Sequence, residues 1–168
     1  VDPQPDVLLQ GALVSAGDDY GQAVAGVGDV DGDGFEDVIV GAPGLAGPAG
    51  ADAGQAFLFL GAASPAPTLP PAGSALQGSL SDSGFGAAVA GAGDVDGDGL
   101  AEVVVGAPGH DSGKGRVEVC GWDLSQGGLS CPWWVNGWTA GDEMGRSVAG
   151  GDVNGDGYSD VLIGAELA

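Results

Sequence analysis

The sequence predicts an all-β protein made of β-propeller blades with four antiparallel strands each, and fewer than three blades in this chain. Three observations predict it: short apolar runs cut by turns, a unit that recurs three times, and an acidic loop at the same place in every unit. With 36 Gly and 10 Pro in 168 residues, disorder is the competing interpretation. A hydrophobic content of 43% and a mean hydropathy of +0.18 favour a folded chain, because disordered chains are poor in apolar residues.

Three segments align when the chain is compared with itself. They run from Tyr20 to Gly44, from Phe85 to Gly109 and from Met144 to Leu167. Their starts are 65 and 59 residues apart, which is typical of a four-stranded propeller blade with long loops. The third copy is one residue shorter before its acidic loop.

The repeat divides the chain into parts of a propeller. We predict a first blade at 20–84, a second blade at 85–143 and the first half of a third blade at 144–168. Residues 7–19 would hold the fourth strand of a preceding blade, VLLQG at Val7–Gly11, and a connector. Because propellers close with about four to eight blades, we expect the chain to be a piece of a longer propeller. A ring completed by several copies is the alternative.

Each unit contains four strand-like runs. They are the opening run Ala23–Gly26, the second runs Asp37–Pro43 and Glu102–Pro108, the third runs Gln55–Gly61 and Gly115–Trp122, and the weaker fourth runs Ser74–Leu80 and Cys131–Trp138. Small residues in the first strand and bulkier ones in later strands match blades that crowd at their inner strand. A β-sandwich is the alternative, but it does not predict an acidic loop at the same place in each unit. The Pro-rich stretch Ala62–Gly73 is then a stiff, exposed loop within the first blade.

The acidic loops follow the pattern D-x-[DN]-G-D-G-x-x-[DE] in all three repeats. Acids at positions 1, 3 and 5 of a tight loop point inward together, and Gly at position 6 lets the backbone turn back. Position 7 offers a backbone carbonyl, and the acid at position 9 would complete the coordination shell of a bound cation. Hard oxygen ligands in a flexible loop suit Ca²⁺ better than Mg²⁺, which prefers a rigid octahedron and keeps several waters.

We therefore predict three Ca²⁺ sites. The predicted side-chain ligands are Asp29, Asp31, Asp33 and Asp37; Asp94, Asp96, Asp98 and Glu102; and Asp152, Asn154, Asp156 and Asp160, with carbonyl ligands from Phe35, Leu100 and Tyr158. These are not EF-hands, because loop position 12 is Val40, Val105 or Ile163 rather than Glu. Solvated Asp-Gly turns without metal are the alternative. Three copies with the same acids disfavour it, because so many unpaired carboxylates would repel one another.

The repeat also carries a recognisable signature on either side of its acidic loop. Phe85-Gly86 precedes the loop and Gly106-Ala107-Pro108 follows it, while Tyr20-Gly21 and Met144-Gly145 are variants of the first element. The third copy has Glu166 in place of the Pro. This pattern resembles the FG-GAP repeat of integrin α-subunit heads and their bacterial relatives. The resemblance implies a seven-bladed propeller with calcium between the first and second strands of some blades.

The charge of the chain excludes several classes of partner. A formal charge of −21 leaves Lys114, Arg116 and Arg146 as the only strong cations. Nucleic-acid backbones and anionic membrane surfaces both require clustered cations, so we expect neither partner. No apolar stretch approaches the length of about 20 residues that crosses a membrane, so we also expect no direct membrane insertion.

The remaining chemistry-bearing residues are few. Cys120 and Cys131 would flank the turn between the third and fourth strands of the second blade, where a disulfide would suit a protein outside the cytoplasm; two buried thiols are the alternative. Four tryptophans follow in the same hairpin: Trp122, Trp133, Trp134 and Trp138. We expect them to pack in the core or between blades rather than to form a ligand platform. His110, the single histidine, is expected to be a solvated loop residue, and no catalytic motif is present, so we predict no enzyme.

Three functions are consistent with these observations. The leading hypothesis is a calcium-stabilised propeller segment with a structural, adhesive or protein-interaction role, located outside the cell, at its surface or in the periplasm. The second is an accessory or carbohydrate-binding module of a secreted enzyme, which would recognise a glycan. The third is a subunit of a self-assembling ring or filament, in which the remaining blades come from other copies. Abundant Ala, Gly and Asp with a single Lys favours a bacterial source.

Overall fold

The computed structural model describes residues 17–63 and 75–166. Within these residues the chain forms two four-stranded antiparallel sheets and one two-stranded sheet. The strands of the first sheet are β1 (Val24–Gly28), β2 (Asp37–Ala42), β3 (Gln55–Phe59) and β4 (Ala75–Gln77). Those of the second sheet are β5 (Ala88–Gly93), β6 (Glu102–Ala107), β7 (Arg116–Asp123) and β8 (Gly128–Asn136). The third sheet contains β9 (Ser147–Gly151) and β10 (Asp160–Gly164), and a four-residue helix, α1 (His110–Gly113), connects β6 to β7.

In both larger sheets the strands are arranged in chain order, so each sheet is an antiparallel meander. This confirms the predicted fold class: the protein is all-β and its sheets have the architecture of propeller blades. The outer strands differ from the prediction. β4 has three residues, and β8 begins at Gly128 and ends at Asn136, so Trp138 lies beyond it. The segment Val7–Gly11 and most of the Pro-rich stretch lie outside the described residues.

The first strands of the three sheets pack against one another, and their small residues are required there. A Cβ on Gly91 would lie 2.9 Å from the Cα of Val27, and a Cβ on Gly150 would lie 2.4 Å from the Cα of Ala92. Main-chain atoms of neighbouring sheets therefore occupy the space that a side chain would need. The small inner strands predicted from the sequence follow from this close approach.

Two apolar clusters lie between the sheets. The larger, between the first and second sheets, includes Ile39, Leu58, Val103 and Phe85, which is 1% exposed. The smaller, between the second and third sheets, includes Met144, which occupies the place of Phe85 in the third repeat. Phe85 and Met144, which begin the second and third repeats, thus fill the core between their own sheet and the preceding one.

A disulfide joins Cys120 on β7 to Cys131 on β8, as predicted for this hairpin. The register of the two strands shifts between Val119 and Gly121, next to the first of these cysteines. Within the described residues, no helix has both the length and the apolar character that crossing a membrane requires.

The structure informs two sequence predictions about single side chains, and the prediction for His110 was wrong. His110 is 6% exposed and therefore buried. It begins α1, a tight turn that is closed by a hydrogen bond from the N–H of Gly115 to the carbonyl of His110 at 3.0 Å. Burial and the charge of Arg116 lower the pKa of the His110 imidazole. Of the four tryptophans only Trp122 packs against the core. The exposed fractions of Trp133, Trp134 and Trp138 are 45%, 56% and 84%, so none of the three is buried in the core. Trp133 and Trp134 line a cleft together with Val161 and Ile163 of the third sheet, and packing between blades stays a prediction.

Candidate functional site

Each acidic loop connects the first strand of its sheet to the second. We call them the first loop (29–37), the second loop (94–102) and the third loop (152–160). In the first two sheets the register shifts just before the loop, at Gly26/Gly28 and at Gly91/Gly93. Backbone hydrogen bonds join the second loop to the first and the third loop to the second, so neighbouring loops meet.

The acid at position 1 organises the turn of each loop. In the first loop, Asp29 accepts hydrogen bonds from the N–H groups of Gly32 at 2.8 Å, Asp33 at 3.1 Å and Gly34 at 2.9 Å. Gly32 and Gly34 have φ angles of +80° and +92°, a conformation that favours glycine. The alternation of acids and glycines in the sequence is therefore the pattern that this turn requires.

The same hydrogen bonds recur in the other two loops. Asp94 accepts from Gly97 at 2.7 Å and from Gly99 at 3.1 Å. Asp152 accepts from Gly155 at 2.7 Å and from Gly157 at 3.0 Å. In every loop the carboxylate at position 5 also accepts from the N–H of position 7, at 2.8–2.9 Å. The three loops thus share one backbone conformation.

The acid at position 9 ties the start of the loop to the second strand. Asp37 is fully buried, and its two oxygens accept from the N–H of Val30 at 2.8 Å and of Gly61 at 2.7 Å. Glu102 is 3% exposed and accepts from the N–H of Val95 at 2.7 Å.

The corresponding bond in the third loop joins Asp160 to the N–H of Val153 at 2.9 Å. Asp160 is only partly buried. The position-9 acid therefore makes the same bond in all three loops but loses burial in the third.

Carboxylates of the first two loops converge. One oxygen of each of Asp29, Asp31 and Asp33 lies within 4.8 Å of the others, and the same holds for Asp94, Asp96 and Glu102. Of the predicted ligands, Asp37 and Asp98 stand outside these two groups of three. In the third loop, Asn154 replaces the second acid. Its Oδ1 accepts from the N–H of Asp156 at 2.8 Å, and its Nδ2 donates to the carboxylate of Asp156 at 3.0 Å.

The electrostatics of the convergent acids favour a cation. Burial, with the charges of Asp33 and Asp29, raises the pKa of the Asp31 carboxyl. Burial, with the charges of Asp96, Asp98 and Asp94, raises the pKa of Glu102 to about 7. In the third loop, hydrogen bonds from Gly157 and Gly155 hold the pKa of the exposed Asp152 below its ordinary value.

The three strong cations of the chain all pair with acids outside the loops. Lys114 pairs with Asp111, Arg116 with Glu118, and Arg146 with Glu143 and Glu166. The charge of the loops is therefore left without a protein cation. Hard oxygen donors in this arrangement fit a divalent cation such as Ca²⁺.

Contacts between neighbouring loops were missed by the sequence reasoning. The N–H of Ala101, at position 8 of the second loop, donates to the carbonyl of Asp29 at 3.1 Å. The N–H of Ser159, at position 8 of the third loop, donates to the carbonyl of Asp94 at 2.8 Å. Position 8 varies between Glu, Ala and Ser, and a backbone donor leaves no side-chain signal, so no motif could have revealed these bonds.

An open cleft of about 210 Å³ lies beside the second loop. Its walls include Asp96 and Glu102 on one side, and Trp122 and Trp133 of the disulfide-linked hairpin on the other. The cleft therefore combines carboxylates with an aromatic surface.

Comparison with known proteins agrees with this architecture. The family model described as FG-GAP repeat matches residues 20–59, 85–119 and 144–168. The three matches begin at Tyr20, Phe85 and Met144, the residues at which the internal repeat begins.

Several curated proteins are similar to the chain. Integrin alpha-IIb of Homo sapiens is 38% identical over 158 residues, which is 87% of this chain and 14% of the relative. Integrin alpha-3 of Cricetulus griseus is 32% identical over 94% of this chain and 15% of the relative, and integrin alpha-7 of Rattus norvegicus is 34% identical over 96% and 14%. The chain thus spans about one seventh of the length of these relatives. Together, the family match, the repeated sheets and the recurring loop geometry show that the chain belongs to the FG-GAP repeat family.

Proposed function

We propose that the chain is a calcium-stabilised segment of a β-propeller that acts outside the cytoplasm in adhesion or protein interaction and carries no catalytic activity. One observation carries the calcium part of this proposal: three loops share the same backbone conformation and present hard oxygen donors without a protein cation. The ligand sets are those predicted from the sequence, with one cation in each loop. The similarity to integrin α chains supports the interaction role.

The proposed role of the cation is structural. Each loop joins the first strand of a sheet to the second, and the position-9 acid belongs to the second strand. A cation held by positions 1, 3, 5 and 9 would fix the two strands together and neutralise carboxylates that otherwise repel one another. Ca²⁺ suits this set better than Mg²⁺ because the donors form a flexible loop rather than a rigid octahedron.

The surroundings of this segment are also part of the proposal. We assign one blade to 20–84, a second to 85–143 and the first half of a third to 144–168. The remaining blades would come from the same longer chain, or from other copies in a ring or filament. A location at the cell surface, in the extracellular space or in the periplasm is consistent with the Cys120–Cys131 disulfide. The bacterial source inferred from composition stays a prediction.

A calcium titration tests the proposal. Isothermal titration calorimetry and thermal unfolding are measured for the chain in calcium, in magnesium and in chelator. We expect calcium to raise the Tm, and Asp31→Asn/Asp33→Asn to remove part of that gain. The matched control is Asp52→Asn/Asp82→Asn, which neutralises two acids outside the loops. A wild-type Tm that does not respond to calcium would contradict the proposal.

The cleft beside the second loop favours a second candidate function, glycan binding. Trp133 is half exposed at the wall of the cleft, and an aromatic face next to carboxylates can stack on a sugar ring while the carboxylates accept hydrogen bonds from its hydroxyl groups. Glycan-array binding that disappears in Trp133→Ala would support this function. Trp138→Ala is the control, because Trp138 is 84% exposed and does not line the cleft. An array without any signal would count against it.

A further inference from the structure

We propose that the three acidic loops bind their cations cooperatively, because each loop is positioned by the next loop along the chain. This inference rests on the proposed function and adds a property to it: residues at positions 7 and 8 of one loop act as positioning residues for the cation site of the preceding loop. The residues concerned are Leu100, Ala101, Tyr158 and Ser159.

The first step of the argument is a relay of hydrogen bonds. The carbonyl of Leu100, a predicted ligand of the second loop, shares a peptide group with the N–H of Ala101, and that N–H donates to the carbonyl of Asp29 at 3.1 Å. The Asp29 carbonyl shares its own peptide group with the N–H of Val30, which donates to Asp37 at 2.8 Å. Two peptide groups thus connect a predicted ligand of the second loop to the position-9 acid of the first loop.

The same relay connects the third loop to the second. The N–H of Ser159, in the peptide group of the Tyr158 carbonyl, donates to the carbonyl of Asp94 at 2.8 Å. The following N–H, that of Val95, donates to Glu102 at 2.7 Å. A cation on the Tyr158 carbonyl would polarise every hydrogen bond of the relay that leads to Glu102, because hydrogen bonds in series strengthen one another.

Side chains of each later loop also pack on the preceding loop. A Cβ on Gly32, at position 4 of the first loop, would lie 3.0 Å from Cδ2 of Leu100. A Cβ on Gly97, at the same position of the second loop, would lie 2.5 Å from Cε1 of Tyr158. The position-7 side chain of each loop therefore covers position 4 of the loop before it.

The third loop provides an internal comparison, since no later loop covers it among residues 17–63 and 75–166. A Cβ on Gly155 would have nothing within 4 Å. The valine at position 2 is fully buried in the first loop (Val30), partly buried in the second (Val95) and 69% exposed in the third (Val153). The valine at position 2 is therefore more buried in the two loops that are covered by a following loop than in the third loop.

Coupling of this kind must be reciprocal: if filling one loop strengthens another, the second strengthens the first by the same factor. A typical coupling corresponds to an affinity change of about five- to 150-fold. We expect the lower part of this range, about five- to tenfold between adjacent loops, because each relay contains only one hydrogen bond between loops.

The test is a calcium titration of the full 168-residue chain followed by ¹H–¹⁵N NMR, with a competing chelator to bring affinities into range. The position-6 amides of Gly34, Gly99 and Gly157 report the first, second and third loops separately. Leu100→Ala keeps its backbone carbonyl and should weaken calcium binding at the first loop about five- to tenfold. Tyr158→Ala should weaken the second loop in the same way, and Tyr158→Phe should restore it.

Two further variants keep the test decisive. Phe35→Ala changes position 7 of the first loop, whose ring covers no other loop in the described residues, so the second and third loops should keep their affinities. Asp96→Asn/Asp98→Asn empties the second loop without touching the contacts on Gly32, and it should weaken the first loop as well.

The two failures are distinguishable. If no glycine reporter responds to calcium in the wild-type chain, the proposed function is wrong and the cooperativity with it. If all three respond but the first-loop affinity is the same in wild type, Leu100→Ala and Asp96→Asn/Asp98→Asn, the loops bind independently and this inference alone is overturned.

Discussion

Gly41 on β2 faces the backbone of Gly86 in the next repeat so closely that a Cβ on Gly41 would lie 2.0 Å from the Gly86 carbonyl oxygen. The same relationship holds one repeat later, where a Cβ on Gly106 would lie 2.0 Å from the carbonyl oxygen of Gly145. The two halves of the FG-GAP signature therefore meet across the boundary between adjacent sheets. The signature describes this contact between two backbones rather than a feature of one strand.

Replacing either signature glycine should destabilise the protein strongly. Gly41→Ala and Gly106→Ala place a methyl group on a main-chain carbonyl, which cannot move without displacing the next sheet. We expect each to lower the free energy of unfolding by about 2–4 kcal/mol, measured by urea denaturation. Gly26→Ala is the matched control, because a Cβ there would have nothing within 4 Å. Equal losses in Gly26→Ala and Gly41→Ala would contradict this account.

The contribution of Glu102 to the stability of the metal-free chain should fall as the pH rises from 4.5 to above about 7. Burial and neighbouring acids raise the pKa of Glu102 from 4.5 to about 7, so the folded state holds this proton more tightly than the unfolded state. The resulting stability is complete below the unfolded pKa and is lost as the pH passes through the folded pKa. Asp31 and Asp37, whose pKa values are also raised, act in the same direction.

The measurement is a series of thermal unfolding curves in chelator, with Glu102→Gln as the comparison. The variant should show a flatter dependence of Tm on pH, because the titrating group is absent. Added calcium should reverse the trend in the wild-type chain, since the cation competes with the proton. If the wild-type chain and Glu102→Gln show the same dependence of Tm on pH in chelator, Glu102 does not carry this linkage.

Asp82 should tolerate glycine but not valine. It has a φ angle of +56°, and Gly17 and Gly141 occupy the equivalent positions before the other two repeats with φ angles of +102° and +94°. A left-handed conformation costs an L-residue about 1–2 kcal/mol, and most for a β-branched side chain. We expect Asp82→Gly to change the free energy of unfolding by less than about 0.5 kcal/mol and Asp82→Val to lower it by about 1–2 kcal/mol. Similar denaturation midpoints for the two variants would refute the expectation.

Loss of the disulfide should cost about 2–3 kcal/mol of unfolding free energy, as expected for a bond that closes a short loop. Cys120 and Cys131 are separated by 11 residues, and Cys120 is fully buried. Denaturation of the oxidised and the reduced wild-type chain measures this cost without creating a cavity. Cys120→Ala/Cys131→Ala should lose somewhat more, because it also removes buried sulfur atoms. If reduction leaves the midpoint unchanged, the bond contributes nothing to stability.

The features that the sequence predicted well are those set by short-range geometry. Asp29 reaches the N–H groups of Gly32 and Gly34 only three and five residues away, so the spacing of acids and glycines is sufficient to indicate the turn. Strand runs such as VVVGA at 103–107 of β6 are apolar throughout because both faces are covered, and they were recognisable for that reason. Repetition then indicated the four-stranded sheets without any knowledge of their packing.

The features that were predicted wrongly or missed depend on which sheet lies next to which. Burial of His110 reflects the surroundings that neighbouring segments create, and composition carries no information about these. The bond from Ala101 to Asp29 connects residues 72 positions apart through backbone atoms alone.

Local patterns in the sequence were sufficient to indicate the strands, the repeat and the shape of the acidic loops, because each depends on hydrogen bonds and apolar faces within a few residues. The contact of Gly41 with Gly86 and the docking of each loop on the one before it were visible only in the folded chain. Those contacts form when sheets distant in the chain pack together, and their closest atoms belong to the backbone, which every sequence shares.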